Sequence, residues 1–181
     1  MLAVSDVIRN DRLAQHYSRV LEHDSPTVEE LAKGIESSTT TVYEDVKHLV
    51  EIGLLQRVTE TQPHRYRGSH VDMTIQAGGE TYQITSTLLV ALAERQSNEN
   101  ISLYIDRHGV SGLATAIEYA RAYTQSEMNA RIMARERDIP VLEAETILQE
   151  LQEIILANEP DISTSLDIEA LDAAVDERRD A

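Results

Sequence analysis

The segment TVEELAKGIESSTTTVYEDVKHLVEIGLL, residues 27–55, decides the fold. Thr27 followed three residues later by Glu30 is the signature of a capping box, in which a hydroxyl and a carboxylate satisfy the first free N–H groups of a helix. The helix so begun turns Val28, Leu31, Ala32 and Ile35 to one side. A short polar break, Glu36-Ser37-Ser38, separates it from a second helix that runs to about Ile52, with Val42, Val46, Leu49 and Val50 apolar. Gly53 adopts without a Cβ clash the left-handed backbone that ends a helix, and Leu54-Leu55 opens a strand.

Helix, tight break, helix, glycine and strand in this order make a helix-turn-helix, whose first helix braces the second against a DNA major groove. Leu31-Ala32 is the large and small pair that lets the two helices cross closely. With Val42, Val46 and Leu49 inward, Thr39, Thr40, Tyr43, Glu44 and Lys47 point outward. Ser38 is expected to cap this helix, where exposed N–H groups and the positive dipole end suit a phosphate. Thr39 and Thr40 are short enough to approach the backbone or a thymine methyl, and Lys47 reaches phosphate or guanine. Glu44 accepts from a cytosine amine or, more simply, pairs with Lys47 or His48 as a solvated helix charge.

Residues 54–59 and 64–68 read as two short strands around the polar tip 60–63. They carry Arg57, His64, Arg65 and Arg67, the densest basic cluster in the chain and the chemistry of a wing that follows a phosphate backbone or enters a minor groove. Alternating charge on an exposed hairpin edge is the structural alternative. Upstream, Leu13, Tyr17, Val20 and Leu21 define a helix over 11–23 that stops at Asp24-Ser25-Pro26. Downstream, Val71, Met73 and Ile75, then Tyr82 and Ile84, predict a second hairpin turning at Gly78-Gly79.

From Ser86 the pattern is helical, with a short helix at 87–95, a strand or helical turn at 101–105, and longer helices at 111–135 and 140–157, Pro140 in a first turn. Met133-Ala134 and the apolar positions Ala144, Leu148, Leu151 and Ile154 echo residues 31–52 in constant register, yet any two amphipathic helices across a short break match in this way. Helices packing for dimerisation or ligand binding are the simpler account. The last stretch, 158–181, holds 8 Asp and Glu against 2 Arg and is expected to be a flexible acidic tail. The expected architecture is mainly α with small β-hairpins (α+β). It comprises a winged helix-turn-helix at 1–70, a hairpin and helical dimerisation or effector region at 71–157, and the tail.

Charge distribution bears on the DNA reading. The net charge is −16, which alone argues against a phosphate-binding protein. Residues 1–70 carry 8 Lys and Arg against 11 Asp and Glu, whereas 71–181 carry 8 against 21, so the acid sits mostly outside the motif. Only Lys33 and Lys47 are lysines, and this arginine bias beside many carboxylates fits a proteome adapted to molar salt. With no Trp, Phe or Cys, the core must come from Leu, Ile, Val, Ala, Met and Tyr, and neither disulfides nor thiolate chemistry are available. The six histidines form no ligand cluster; Asp106 and His108 read as surface titratable groups, so no metal or cofactor is expected. Gly109-Val110-Ser111-Gly112 lacks the last glycine of a nucleophile elbow, and Ser111 reads as a helix cap; no enzyme motif remains. Without an apolar run long enough to span a bilayer or a charged leader, a cytoplasmic protein is expected.

Residues 9–68 resemble the winged-helix regulators of the ArsR-like superfamily, which includes TrmB-like proteins. The resemblance rests on LA at 31–32, TTV at 40–42, HLVEIGLL at 48–55 and the basic hairpin. Glu36-Ser37 departs from it where relatives commonly have glycine and an apolar residue. VDMTIQAGGETYQIT at 71–85 and ARIMARERDIPVLEAETIL at 130–148 extend a likeness to uncharacterised haloarchaeal regulators. The resemblance implies binding of double-stranded DNA and dimerisation, hence a homodimer on an inverted repeat, with a small-molecule effector left unidentified. The rival expectation is a winged-helix module that binds a protein partner and has lost DNA binding, as Glu44 and the acidic second part would favour.

Overall fold

The computed structural model describes residues 2–33, 37–77 and 79–162. Four helices come first: α1 (Leu2–Arg9), α2 (Asp11–Glu22), α3 (Val28–Ala32) and α4 (Thr39–Glu51). Two antiparallel hairpins follow, β1 (Leu55–Arg57) with β2 (Tyr66–Gly68) and β3 (Asp72–Ala77) with β4 (Glu80–Thr85). Helix α5 (Ser86–Ala93), a 3-10 turn at Glu94–Gln96, α6 (Glu99–Thr124), α7 (Ala130–Arg137) and α8 (Val141–Asn158) complete the chain. The class is mainly helical with small hairpins, as expected. Residue contacts divide the chain into two compact units, 1–102 and 103–181.

In the first unit α2 is the central element, packing on α4, on β2 and on α5. Leu13, Ala14, Tyr17 and Val20 are buried with Leu31 of α3, Val42, Val46 and Leu49 of α4, and Leu88, Leu89 and Leu92 of α5. Residues Thr87–Ala93 are all buried, the mark of a helix surrounded by protein rather than lying at a surface. The Tyr17 hydroxyl donates to the Ser69 carbonyl at 2.9 Å and lies 2.9 Å from Ser86 Oγ, so one side chain of α2 binds the segment after β2 and the start of α5. Gly68 is a close-approach glycine: a Cβ there would collide with Leu21 of α2.

The local devices explain where elements begin and end. The capping box of α3 is present, with Thr27 N–H donating to Glu30 Oε2 at 2.8 Å and Glu30 N–H to Thr27 Oγ1 at 3.2 Å. Gly53, at φ 82°, ends α4 in a Schellman arrangement: Leu54 N–H donates to the Leu49 carbonyl at 2.9 Å and Gly53 N–H to the Val50 carbonyl at 3.0 Å. In the second hairpin Met73 pairs with Ile84 and Ile75 with Tyr82, the positions the alternation selected. Gly79 turns at φ 85°, while Gly78, like Ile35 and Glu36, lies outside the described residues.

Several helical expectations are corrected. Of the two alternatives at 101–105, a strand or a helical turn, the helix is found, within α6. The helix expected over 111–135 is two helices: α6 ends at Thr124, Ser126 takes φ 60°, and Asn129 caps α7 by accepting from the N–H groups of Arg131 and Ile132. Apolar periodicity continues through this break, which the polar residues Gln125–Glu127 and the cap Asn129 mark. Ser111 does not cap a helix; the backbone departs from helical geometry two residues earlier, at Gly109 (φ 69°), and the Ser111 carbonyl accepts from Thr115 Oγ1 at 3.0 Å. Pro140 stands at the N-cap of α8, one position before the helix.

The second unit buries Leu113, Ile117 and Ala120 with Met133 and Ala134 of α7 and Ala144, Ile147, Leu148, Leu151 and Ile155 of α8. Helices α7 and α8 do pack as a pair across Asp138-Ile139-Pro140. The exposed positions Leu142, Glu145, Gln149 and Glu153 of α8 include no cation, so this pair lacks the phosphate-binding chemistry of a second recognition helix. Ion pairs join its elements, Arg121 bonding Glu159 at 2.8–3.1 Å and Glu143 receiving Arg107 at 3.2 Å and His108 at 2.8 Å. Residues 163–181, most of the expected tail, lie outside the described residues.

Leu49 is completely buried where α4 meets the core, and truncating it opens a cavity. Leu49→Ala is expected to cost about 2–5 kcal/mol of unfolding free energy, seen as a lower denaturant midpoint at unchanged slope.

Candidate nucleic-acid interface

The interface is built around α4. Ser38 caps it as expected, its Oγ accepting from Thr41 N–H at 3.2 Å and lying 2.9 Å from Thr41 Oγ1. Thr39 and Thr40 in the first turn are exposed, as are Glu44 and Lys47, and Tyr43 is 53% exposed. The stripe of Val42, Val46 and Leu49 faces inward at 0% exposure, so the hydroxyl-bearing side of the helix is the solvent side. Lys47 Nζ lies 3.8 Å from Glu51 Oε1 and His48 pairs with Asp6 of α1 at 3.5 Å; the expected partnership of either with Glu44 is not made.

Asp45, an acid on the apolar stripe three residues after Val42, was missed in the sequence reading. It is buried and receives Arg12 of α2 through two bonds, Nε to Oδ2 at 2.6 Å and Nη2 to Oδ1 at 3.1 Å. This bidentate geometry fixes angle as well as distance, and it ties the recognition helix to the central helix of the unit. His16, one turn along α2 and fully buried, brings Nε2 within 3.1 Å of Asp45 Oδ2, but its ring nitrogens make no hydrogen bond. An acid among apolar spacings is itself the signal that could have found this cluster, since an inward carboxylate needs a partner.

The wing positions its cations differently from one another. In the β1–β2 ladder Arg57 pairs with Tyr66 and Gln56 with Arg67, and successive pairs face opposite sides. Arg57 therefore shares a face with Tyr66, and Arg67 points to the other face; both are exposed. Arg65 is held back toward the protein, Nη1 donating to the Ser25 carbonyl at 2.8 Å and lying 3.4 Å from Glu30 Oε2. Its backbone bridges to Thr27, and Tyr66 N–H donates to the Pro26 carbonyl at 3.1 Å, so the wing is stitched to the turn before α3. His64 is half-buried. The structure thus brings Thr39, Thr40, Tyr43 and His64 together and separates the three arginines.

A groove of about 680 Å³ runs between α4 and the wing. Thr39, Thr40 and Tyr43 line one side, Pro63, His64 and Tyr66 the other, with Val28 and Glu29 of α3 also at its border. Burial, with Tyr43 and Glu29 nearby, pushes the Tyr66 phenol above its ordinary pKa, so it stays a neutral hydroxyl at working pH. Hydroxyls, aromatic faces and apolar edges in this groove suit base edges and sugars, while Lys47, Arg57 and Arg67 supply exposed charge nearby. Among the described residues no group of three His, Asp or Glu is arranged to hold a metal ion.

A helix-turn-helix followed directly by a two-stranded wing defines the winged-helix class of DNA-binding domain. Residues 11–72 match the family model described as sugar-specific transcriptional regulator TrmB, a winged-helix transcription-factor family. Residues 95–160, from the 3-10 turn through α8, match a second model described as a family of unknown function (DUF7437). No curated protein and no solved structure matches the chain. The first match is to a family of regulators, not of enzymes.

Burial drives the His16 pKa below its ordinary 6.5, outweighing the pull of Asp45. The unfolded chain then takes up a proton that the folded chain refuses, so stability is retained above pH 6.5 and falls as pH drops below it. Wild type is expected to lose stability more steeply between pH 6.5 and 5 than His16→Gln, and equal slopes in denaturant titrations would remove His16 from this role.

Proposed function

We propose that the protein is a sequence-specific transcriptional regulator that binds double-stranded DNA as a homodimer on an inverted repeat. The observation that carries this reading is the outward face of α4, where Thr39, Thr40, Tyr43 and Lys47 stand exposed beside an open groove and a wing. Thr39, Thr40 and Tyr43 read base edges; Ser38 and Lys47 contact phosphate, with the α4 N-terminus assisting. Arg57 and Arg67 hold register along the backbone from the two faces of the wing. His64 contributes at the groove wall, and Arg65 acts chiefly by fixing the wing to the Ser25–Glu30 corner. Because most soluble oligomers are twofold, two such domains present two recognition helices to neighbouring major grooves. The matched family supports regulation of transcription, a role that fits a cytoplasmic protein. No helix among the described residues is long and apolar enough to cross a membrane. The arginine bias beside many carboxylates supports a protein that works in concentrated salt.

The second reading, a module that docks a protein partner, draws on Glu29 at the groove's border, on the exposed Glu44 of α4 and on the acidic second part. Selection of duplexes from a random pool, followed by titration over a salt series that includes molar KCl, separates the two. DNA binding predicts an enriched duplex; recovery of no duplex at any salt concentration contradicts it.

On the selected duplex, Thr40→Ala and Tyr43→Ala are expected to lose roughly 1–3 kcal/mol of discrimination at particular base pairs. The Arg57→Ala, Arg67→Ala double variant is expected to weaken binding to all sequences and to reduce the salt slope by about 2. Anisotropy titrations measure both, and an unaltered slope in the double variant would detach the wing from the phosphates.

A further inference from the structure

Arg12, Gln15, Arg19 and Glu22 stand three, four and three residues apart on α2 and so form one stripe along the helix. The stripe borders an open cleft of about 550 Å³, none of whose lining residues belongs to the groove between α4 and the wing, completed by Ser37, the end of α5 and the 3-10 turn with Glu94 and Gln96. The Gln15 side-chain amide donates to Gln96 Oε1 at 3.0 Å and ties the two walls together. This volume is that of a small-molecule site. Its lining is almost wholly polar, with Ala93 the one apolar side chain in it, and it holds two guanidinium groups and two carboxylates.

The groups are oriented. Ser18 Oγ donates to Glu22 Oε1 at 3.2 Å, and Ser97 Oγ donates to Glu94. Arg12 uses Nε and Nη2 on Asp45 and has further N–H donors to offer. Among the described residues no ion pair of Arg19 is found, although Glu22 is one turn away on the same stripe. A chain of net charge −16 repels small anions from its surroundings, while a molecule with no net charge reaches the cavity without that opposition. Arg19 and Glu22, three residues and so about one helical turn (~5.4 Å) apart on α2, set opposite charges side by side at the cleft, as the two ends of a compact dipolar ion require.

We propose that this cavity binds a small zwitterion of the α-amino-acid class, its carboxylate on Arg19 and Arg12 and its ammonium on Glu22 and Glu94. The scarcity of apolar lining selects a short or polar side chain. Arg12 is also the partner of Asp45 on α4, so a ligand that draws on Arg12 alters how firmly the recognition helix is held. That consequence rests on the DNA-binding reading above, whereas binding of the ligand does not. Coupling of this kind is reciprocal, so duplex and ligand change each other's affinity by one common factor.

Calorimetric titration of the full chain with glycine, L-serine, L-asparagine and L-glutamine tests the site. At least one is expected to bind saturably, about tenfold or more tightly than its N-acetyl form, which lacks the ammonium, and than inorganic phosphate. Arg19→Ala and Glu22→Gln are each expected to weaken it by about tenfold or more at an unchanged unfolding midpoint. No saturable binding of any of the four, equal binding of the N-acetyl form or of phosphate, or undiminished binding by both variants overturns the proposal. Duplex titrations with and without the bound amino acid read the coupling: a shift in affinity supports it, and identical affinities overturn it. A chain that binds the amino acid and no duplex refutes the DNA reading alone.

Discussion

The rotation of α4 about its own axis is the constraint on which the rest depends. Residues advance by about 100° per step around a helix, so fixing which side is buried also fixes which side chains meet solvent. Val42, Val46 and Leu49 fix it by burial, each contributing about 1.5–3 kcal/mol when removed from water. Hydrophobic burial is not directional, and an apolar stripe alone tolerates some roll. The Arg12–Asp45 pair adds direction, because two parallel bonds at 2.6 and 3.1 Å are lost together if the helix turns. The exposed hydroxyl face of α4 is thus a consequence of what lies behind it.

The same logic runs through α2, which supplies Leu13, Tyr17 and Val20 to the core, Arg12 and His16 to the back of α4, and the close approach to Gly68. Recognition helix, wing and α5 are therefore all set by one element. Arg12 and His16 of α2 both meet Asp45 of α4, so protonation at His16 or competition for Arg12 bears on the contact that holds α4. The electrostatic design agrees with this division of labour. Lys47, Arg57 and Arg67 stand exposed, while Arg12 and Arg65 are used to hold elements in place.

Much of the winged helix was legible because its signals are local. The capping box at Thr27 and Glu30, the spacing of Val42, Val46 and Leu49, and the stop at Gly53 each depend on residues within a few positions. The outward set Thr39, Thr40, Tyr43 and Lys47 followed from that spacing. What stayed hidden depends on partners distant in sequence or on strand parity. Arg57 and Arg67 face opposite sides because of where the ladder begins, and Arg65 turns inward because the Ser25 carbonyl lies 40 residues back in the chain. Asp45 was visible as an anomaly, but its explanation lies 33 residues upstream in Arg12. The break at 125–129 escaped because the apolar period carries across it, leaving three polar residues and a cap at Asn129 as its signals.

The most direct measurement is a backbone amide chemical-shift map of the isotope-labelled chain titrated with a selected duplex. If α4 is the reading element, the largest shifts fall on Ser38–Lys47, on the strand pair carrying Arg57 and Arg67, and on the wing residues beside the groove. If those resonances hold still while shifts gather on α7 and α8, or if no resonance moves, the placement of DNA against α4 is wrong.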